Sequence, residues 1–222
     1  MPDTAPLTEL ARPEKERWLT PGVRGIGTAS FLADVGHEIP TALLPSLLTS
    51  TLGAPAAALG AIEGVSDALA GAARFGGGVL ADDPARRRKV AVGGYTTTAA
   101  LGAATAAATA VWQVGLLRAA AWTARGLRVP ARNALLADIV SAKVYGRAYG
   151  FERMMDNLGA IFGPLLALGL VAWLGLMWTI GLSVIPSVLA AVAITYAIRH
   201  TSQPTSREPR RGRWSRDRCR SR

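Results

Sequence analysis

The placement of the basic residues constrains this chain more than any other feature. It has 25 Lys and Arg, yet none falls in 25–73, none in 90–117 and none in 154–198. Between these stretches lie tight basic clusters, the clearest being ARRRKV at 85–90. Apolar segments threaded between basic loops are the pattern of a multispanning membrane protein, because cytoplasmic loops retain Lys and Arg while translocated loops do not. A soluble fold has no need of apolar runs of about 20 residues, roughly the thickness of a bilayer's hydrocarbon region.

The reading predicts an all-α, polytopic membrane protein with six transmembrane helices. The expected spans are about Ile26–Leu48, Ala54–Leu80, Val90–Ala110, Trp112–Ile139, Tyr149–Val171 and Leu176–Ile198. The fourth holds Arg118, Arg125, Arg128 and Arg132, and hydropathy alone would reject it. Topology restores it, since without it the basic stretch 143–153 falls on the wrong side. Counted this way, the N-terminus, the 2–3 loop (Arg86, Arg87, Arg88, Lys89), the 4–5 loop (Lys143, Arg147) and the tail are basic. The loops near Gly53, Thr109 and Leu174 lack Lys and Arg, while Trp112, Trp173 and Trp178 stand beside them, where indole rings favour the interface. Both termini are therefore expected in the cytoplasm, with the chain in the cell membrane. The domains expected are a cytoplasmic segment 1–24, a helical bundle 25–199 and an Arg-rich cytoplasmic tail 200–222 with the composition of a disordered segment.

The net charge of +10 raises the question of nucleic acid, and its location answers it. Residues 199–222 hold nine Arg against Glu208 and Asp217, so +7 belongs to the tail. With only Trp214 to stack on a base, that tail is better suited to anionic lipid headgroups, and no nucleic-acid partner is expected. The N-terminus has mixed charge and no apolar h-region, so no cleavable signal peptide is expected. A single Cys and two His leave no metal site, no nucleophile–base constellation and no cofactor to expect. GGGVLADD lacks the GK[ST] ending of a phosphate loop, so no ATP-driven motor is expected and enzymatic activity is not predicted.

An ionisable side chain at mid-membrane costs about 2.5–3.5 kcal/mol on insertion scales, so each needs a partner, a wet cavity or a function. Asp34 and Glu38 lie four apart on one helical face, about eight to twelve residues into the first span, roughly 12–18 Å deep. Two carboxylates so close disfavour joint ionisation, which suits a proton-coupling site. The alternative is that they pair with Arg118 or Arg125 and only hold helices together. His37 is read as a hydrogen-bonded packing residue. Glu63, Asp67 and Arg74 share one side of the second span, and an Asp67–Arg74 pair or a bridge to a neighbouring helix are both open. Gly64, Gly71 and Gly78 recur every seven residues and read as a packing seam. Arg153 and Asp156 open span five, an Asp there being favoured by the helix dipole.

Gly78, Leu80, Ala81, Asp82, Arg86, Arg87 and Val90 resemble the signature that the major facilitator superfamily carries between spans two and three. Ala85 stands where that signature usually has Gly, and Asp83 where it often has a basic residue. RGLRVPARNALLAD at 125–138 and YGRAYGFERMMDNLGAIFGP at 145–164 are similar to a permease-like branch. Gly159, Gly163 and Pro164 resemble the span-five Gly-and-Pro motif of many antiporter members. The resemblance covers about residues 22–200. It implies secondary active transport of a small solute by alternating access, with Asp82, Arg86 and Arg87 as a gating cluster and Arg125 clamped by Asp82 or a span-one acid. It also implies twelve spans in two six-helix halves, of which this sequence resembles the N-terminal one. The rival expectations are a truncated or frameshifted fragment without transport, its tail being either an inter-half loop cut short or a frameshift product, and a half-unit that works as a homodimer or with a separate second half.

Overall fold

The computed structural model describes residues 18–200, and among these there is no strand. The helices are α1 (Pro21–Ser46), α2 (Ala56–Asp82), α3 (Pro84–Thr105), α4 (Val111–Ile139), α5 (Tyr145–Leu174), α6 (Leu176–Leu182) and α7 (Val184–His200). Thr20 starts α1 by accepting a hydrogen bond from the Val23 amide at 3.3 Å, and Pro21 at the first helical position lacks only an N–H that has no helical partner there. A π-helical turn, Leu47–Thr51, prolongs α1 beyond the expected Leu48. The expected sixth span is α6 and α7 in succession, broken at Ser183. Pro186 in the first turn of α7 has no amide to continue the ladder, and at the break both the amide and the hydroxyl of Ser183 donate to the Ile180 carbonyl, the hydroxyl at 2.7 Å.

The junction between α2 and α3 is shorter than the sequence suggests. Arg86 to Lys89 are not loop residues but lie in the first turns of α3, and Asp83 alone separates the helices. Its carboxylate caps α3 by accepting from the Ala85 amide at 2.9 Å. By length and composition, three helical stretches suffice to cross a membrane: Ala56–Asp82, Ala142–Leu174 and Leu176–His200. The other three, α1, α3 and α4, have 26, 22 and 29 residues, long enough for about 30 Å of hydrocarbon. Their polar residues set them apart.

Helices α1 and α4 are central. α1 packs on α5 and α7, α4 packs on α2 and α3, and α3 closes against α7. One apolar cluster, built on Val23, Ile26, Tyr95, Leu136 and Ile194, fills the end of the bundle where Arg86 to Lys89 lie. A second, built on Val35, Leu43, Leu47, Val114 and Ile180, fills the other end. Many of the remaining core positions are Ala, so the helices approach closely and van der Waals packing replaces the hydrophobic driving force that lipid does not provide.

The heptad glycines of α2 do not form the expected seam. A Cβ on Gly64, Gly71 or Gly78 would meet nothing within 4 Å. The residues of α2 that are buried are Ser66, Ala70, Gly77 and Ala81, one turn-face away, and the α4 backbone at Leu127 lies against Gly77. The heptad positions do share one face, but the bundle packs on the neighbouring one.

Candidate functional site

Arg118, Arg125 and Arg132 recur every seven residues along α4 and share one side of it. At ~1.5 Å per residue they stand roughly 10, 21 and 31 Å from the start of the helix, so Arg125 is near mid-span. Each meets an acid from a different helix. Arg118 is bidentate to Glu63 of α2, one nitrogen lying 2.9 and 3.2 Å from the two carboxylate oxygens, and its other terminal nitrogen donates to the Thr41 hydroxyl of α1 at 2.9 Å. Arg125 donates to both oxygens of Asp34 on α1 at 3.0 and 3.3 Å. Arg132 lies 2.8 Å from Glu152 and 3.2 Å from Asp156, both on α5, and also donates to the Ser30 hydroxyl at 3.0 Å. Ser30 in turn donates to Glu152 at 2.9 Å, and Arg153 reaches the second oxygen of Asp156 at 3.0 Å. A guanidinium presents five donors in a rigid fork, so one Arg can hold two carboxylates and a hydroxyl at once.

Aromatic rings complete this ladder. Trp122 lies between Arg118 and Arg125, whose guanidinium carbons are 5.0 and 5.3 Å from its ring centre. Arg128 stacks 4.1 Å over Tyr95 of α3 and forms no ion pair among the described residues. Both contacts fall within the range of cation–π attraction. His37 packs edge-on against Trp122 at 4.7 Å, so its packing role is present. The hydrogen bond expected with it is absent at Nε2, which is buried without a partner among the described residues.

Of the sequence candidates, the structure joins Asp34 to Arg125 and Glu63 to Arg118. Glu38 is half-buried one turn below Asp34 and makes no hydrogen bond or ion pair among the described residues. Asp67 and Arg74 are exposed on α2 and unpaired there, so the Asp67–Arg74 pair is not formed. Two helical turns are too far for those side chains, and Glu63 makes the bridge to the neighbouring helix instead.

Gly159 and Gly163 press α5 onto α1 beside the two acids. A Cβ on Gly159 would lie 2.5 Å from the Phe31 carbonyl oxygen and 2.9 Å from the Asp34 Cβ. One on Gly163 would lie 2.5 Å from the Glu38 Cβ. Pro164 follows inside α5, where its ring removes one helical hydrogen bond.

At the junction of α2 and α3, Asp82 is exposed and unpaired among the described residues, and it does not reach Arg125. Its neighbour Asp83 pairs with Arg86 at 3.3 Å. Arg87 is ion-paired to Asp138 at the end of α4 and donates from Nε to the Ala81 carbonyl at 2.7 Å. The contacts expected of Asp82 thus belong to Asp83 and Asp138. Glu152, Ser30, Asp138 and Trp122 were not singled out from the sequence. The heptad of Arg118, Arg125 and Arg132, set beside Glu152 and Asp156 four apart, is the signal that could have found the first of these.

Residues 26–217 match the family described as Major Facilitator Superfamily. An uncharacterized protein of Mycobacterium bovis (strain ATCC BAA-935 / AF2122/97) is 30% identical over 199 residues, which is 89% of this chain and 48% of the relative. Uncharacterized proteins of Mycobacterium tuberculosis strains CDC 1551 and ATCC 25618 / H37Rv match to the same extent. The chain spans about half the length of the curated relatives it matches.

Proposed function

This chain belongs to the major facilitator superfamily, and on that premise we propose that it is a secondary active transporter of a small solute, coupled to protons through Glu38. The six-helix unit of 25–199 forms one wall of an alternating-access pathway, with α1, α2, α4 and α5 lining it. It sits in the cell membrane with both termini in the cytoplasm, the segments 1–24 and 200–222 lying there.

The observation that carries this reading is the pairing pattern of the embedded charges. Arg118, Arg125 and Arg132 are each held by acids of other helices, so they serve as clamps that fix the wall. Glu38 lies beside them, half-buried and unpaired among the described residues. An unpaired carboxyl at membrane depth is stable only when it can exchange a proton or meet a cationic partner. Asp34, clamped by Arg125, positions α1 and holds Glu38 in place. Arg87, paired with Asp138, latches the α2–α3 junction to α4, a contact that alternation between two states would make and break, while Arg86 pairs with Asp83 within the junction itself.

Reconstitution into proteoliposomes with an imposed pH gradient tests this. Gradient-driven uptake of a transported solute is expected to fall at least tenfold in Glu38→Gln while the folded fraction stays unchanged. A hydrophobic carbodiimide is expected to label Glu38 and spare Asp34. Uptake that is indifferent to the gradient, or unaltered in Glu38→Gln, would remove proton coupling from the reading.

A second reading has its own support. Asp67 and Arg74 stand exposed on the heptad face of α2 with no partner among the described residues. They fit a second six-helix unit laid on that face, either a separate half or another copy of this chain. Cross-linking from a cysteine at Gly71 would separate the two: a homodimer links to itself, whereas a second half links to a different chain.

A further inference from the structure

On the side of the bundle away from the ionic ladder, α3 and α7 line an apolar groove of about 710 Å³. Its walls include Ala99 and Ala100 of α3 and Val188, Ala191 and Val192 of α7. No Lys, Arg, Asp or Glu occurs between Val90 and Leu117 or between Asn157 and Ile198, so neither wall carries a charge along its length. The charge comes at one end. There the groove is lined by Thr195, Tyr196, Arg199 and His200. Arg199 is exposed and forms no ion pair among the described residues. His200 stacks on the Tyr196 ring at 4.0 Å, and its Nδ1 lies 3.1 Å from the Tyr196 carbonyl oxygen. Because a carbonyl oxygen only accepts, that nitrogen carries its hydrogen.

From this geometry we infer that the α3–α7 groove is a binding site for one anionic phospholipid. The acyl chain occupies the apolar trough and the phosphate lies against Arg199 at its rim. From Val184 to His200 the groove extends roughly 24 Å at ~1.5 Å per residue, so an acyl chain entering at the rim has a trough for the full depth of one leaflet of a bilayer with about 30 Å of hydrocarbon. The Tyr196–His200 stack marks the level of the headgroups, where aromatic rings with a polar edge settle. Arg88 and Lys89, exposed in the first turns of α3 at the same end of the bundle, add to the positive field there. A protein occupant fits less well. The walls offer no unpaired polar group along the trough, and it is the opposite side, with Glu38, Asp67 and Arg74, that needs a partner rather than hydrocarbon.

The test uses the full chain in mild detergent, exposed to phosphatidylglycerol or phosphatidylcholine with identical acyl chains, with bound lipid read by native mass spectrometry. One phosphatidylglycerol per chain is expected, retained at least tenfold more tightly than phosphatidylcholine. R199Q is expected to bring the two lipids to parity without abolishing binding. Thr96→Trp, which fills the trough from an exposed position on α3, is expected to abolish retention of both. A phosphatidylglycerol carrying a photoreactive acyl chain should label peptides from α3 and α7. Equal retention of both lipids by the unaltered chain would overturn the proposal, as would labelling confined to other helices. A groove occupied by a second copy would overturn it too, and would show as a dimer that Thr96→Trp dissociates.

Discussion

The two sides of this bundle solve the same problem in opposite ways. The side formed by α1, α2, α4 and α5 carries at least nine ionisable groups between Asp34 and Asp156, most of them interlocked. The side formed by α3 and α7 carries no Asp, Glu, Lys or Arg between Val90 and Thr105 or between Val184 and Ile198, and it buries mainly Ala and Thr, with Tyr95 and Ile194. In hydrocarbon a lone charge is costly, whereas a charge with two partners and a hydroxyl is tolerable. The comparison teaches that polarity in this chain was not spread thinly but gathered onto one wall, where it can serve a pathway. The other wall is left apolar.

The sharpest break would come at the most enclosed pair. Replacing Arg132 by Met leaves Glu152, whose side chain is 5% exposed, without its cation. Removing one partner of a buried ion pair typically costs about 3–5 kcal/mol, so Arg132→Met should lower the melting temperature in detergent more than any other single change discussed here. The corresponding insult to the apolar side is Val192→Arg, at a position 60% exposed on α7. It should cost about 2.5–3.5 kcal/mol in a translocon insertion assay of that helix, and a null result would show that the α7 segment does not insert as a span with Val192 in the hydrocarbon.

Gly159→Leu tests the join between α1 and α5. With the Phe31 carbonyl oxygen 2.5 Å from the site of a Cβ, the helices must separate, at about 1–3 kcal/mol. The loss should appear as weaker detergent stability together with a disturbed Asp34–Arg125 contact. Smallest is Gly71→Ala on the open face of α2. Since nothing lies within 4 Å, the substitution should stabilise the chain by about 0.5–1 kcal/mol through helix propensity alone. Destabilisation would mean that this face is covered by another protein surface, and would sharpen the case for a second unit.

Helix α4 shows how much could be read from the residues alone. Its four Arg made hydropathy reject it, but the positive-inside pattern demanded it, and it is the longest helix after α5. The clamp Arg125–Asp34 was among the alternatives available from composition and helical spacing, whereas Arg118, for which Asp34 and Glu38 were the expected acids, meets Glu63 of α2 instead. The Arg132–Glu152–Asp156–Ser30 group was not, because pairing it requires knowing that α5 packs on α1 with Glu152 level with Ser30. The glycine heptad of α2 fails for a related reason. Periodicity states which residues share a face, and only the neighbouring helices state which face is used.

What the sequence by itself determined is the all-helical character, the placement of the six apolar segments and the family, because charge placement and hydropathy act on each segment separately against a bilayer. Tertiary structure alone decided which acid meets which guanidinium, why Asp34 is clamped while Glu38 one turn away is not, and which face of each helix is buried. Those outcomes depend on ångström-scale approach between helices up to 122 residues apart in the chain. A hydrogen bond or ion pair is sensitive to such distances in a way that hydropathy is not.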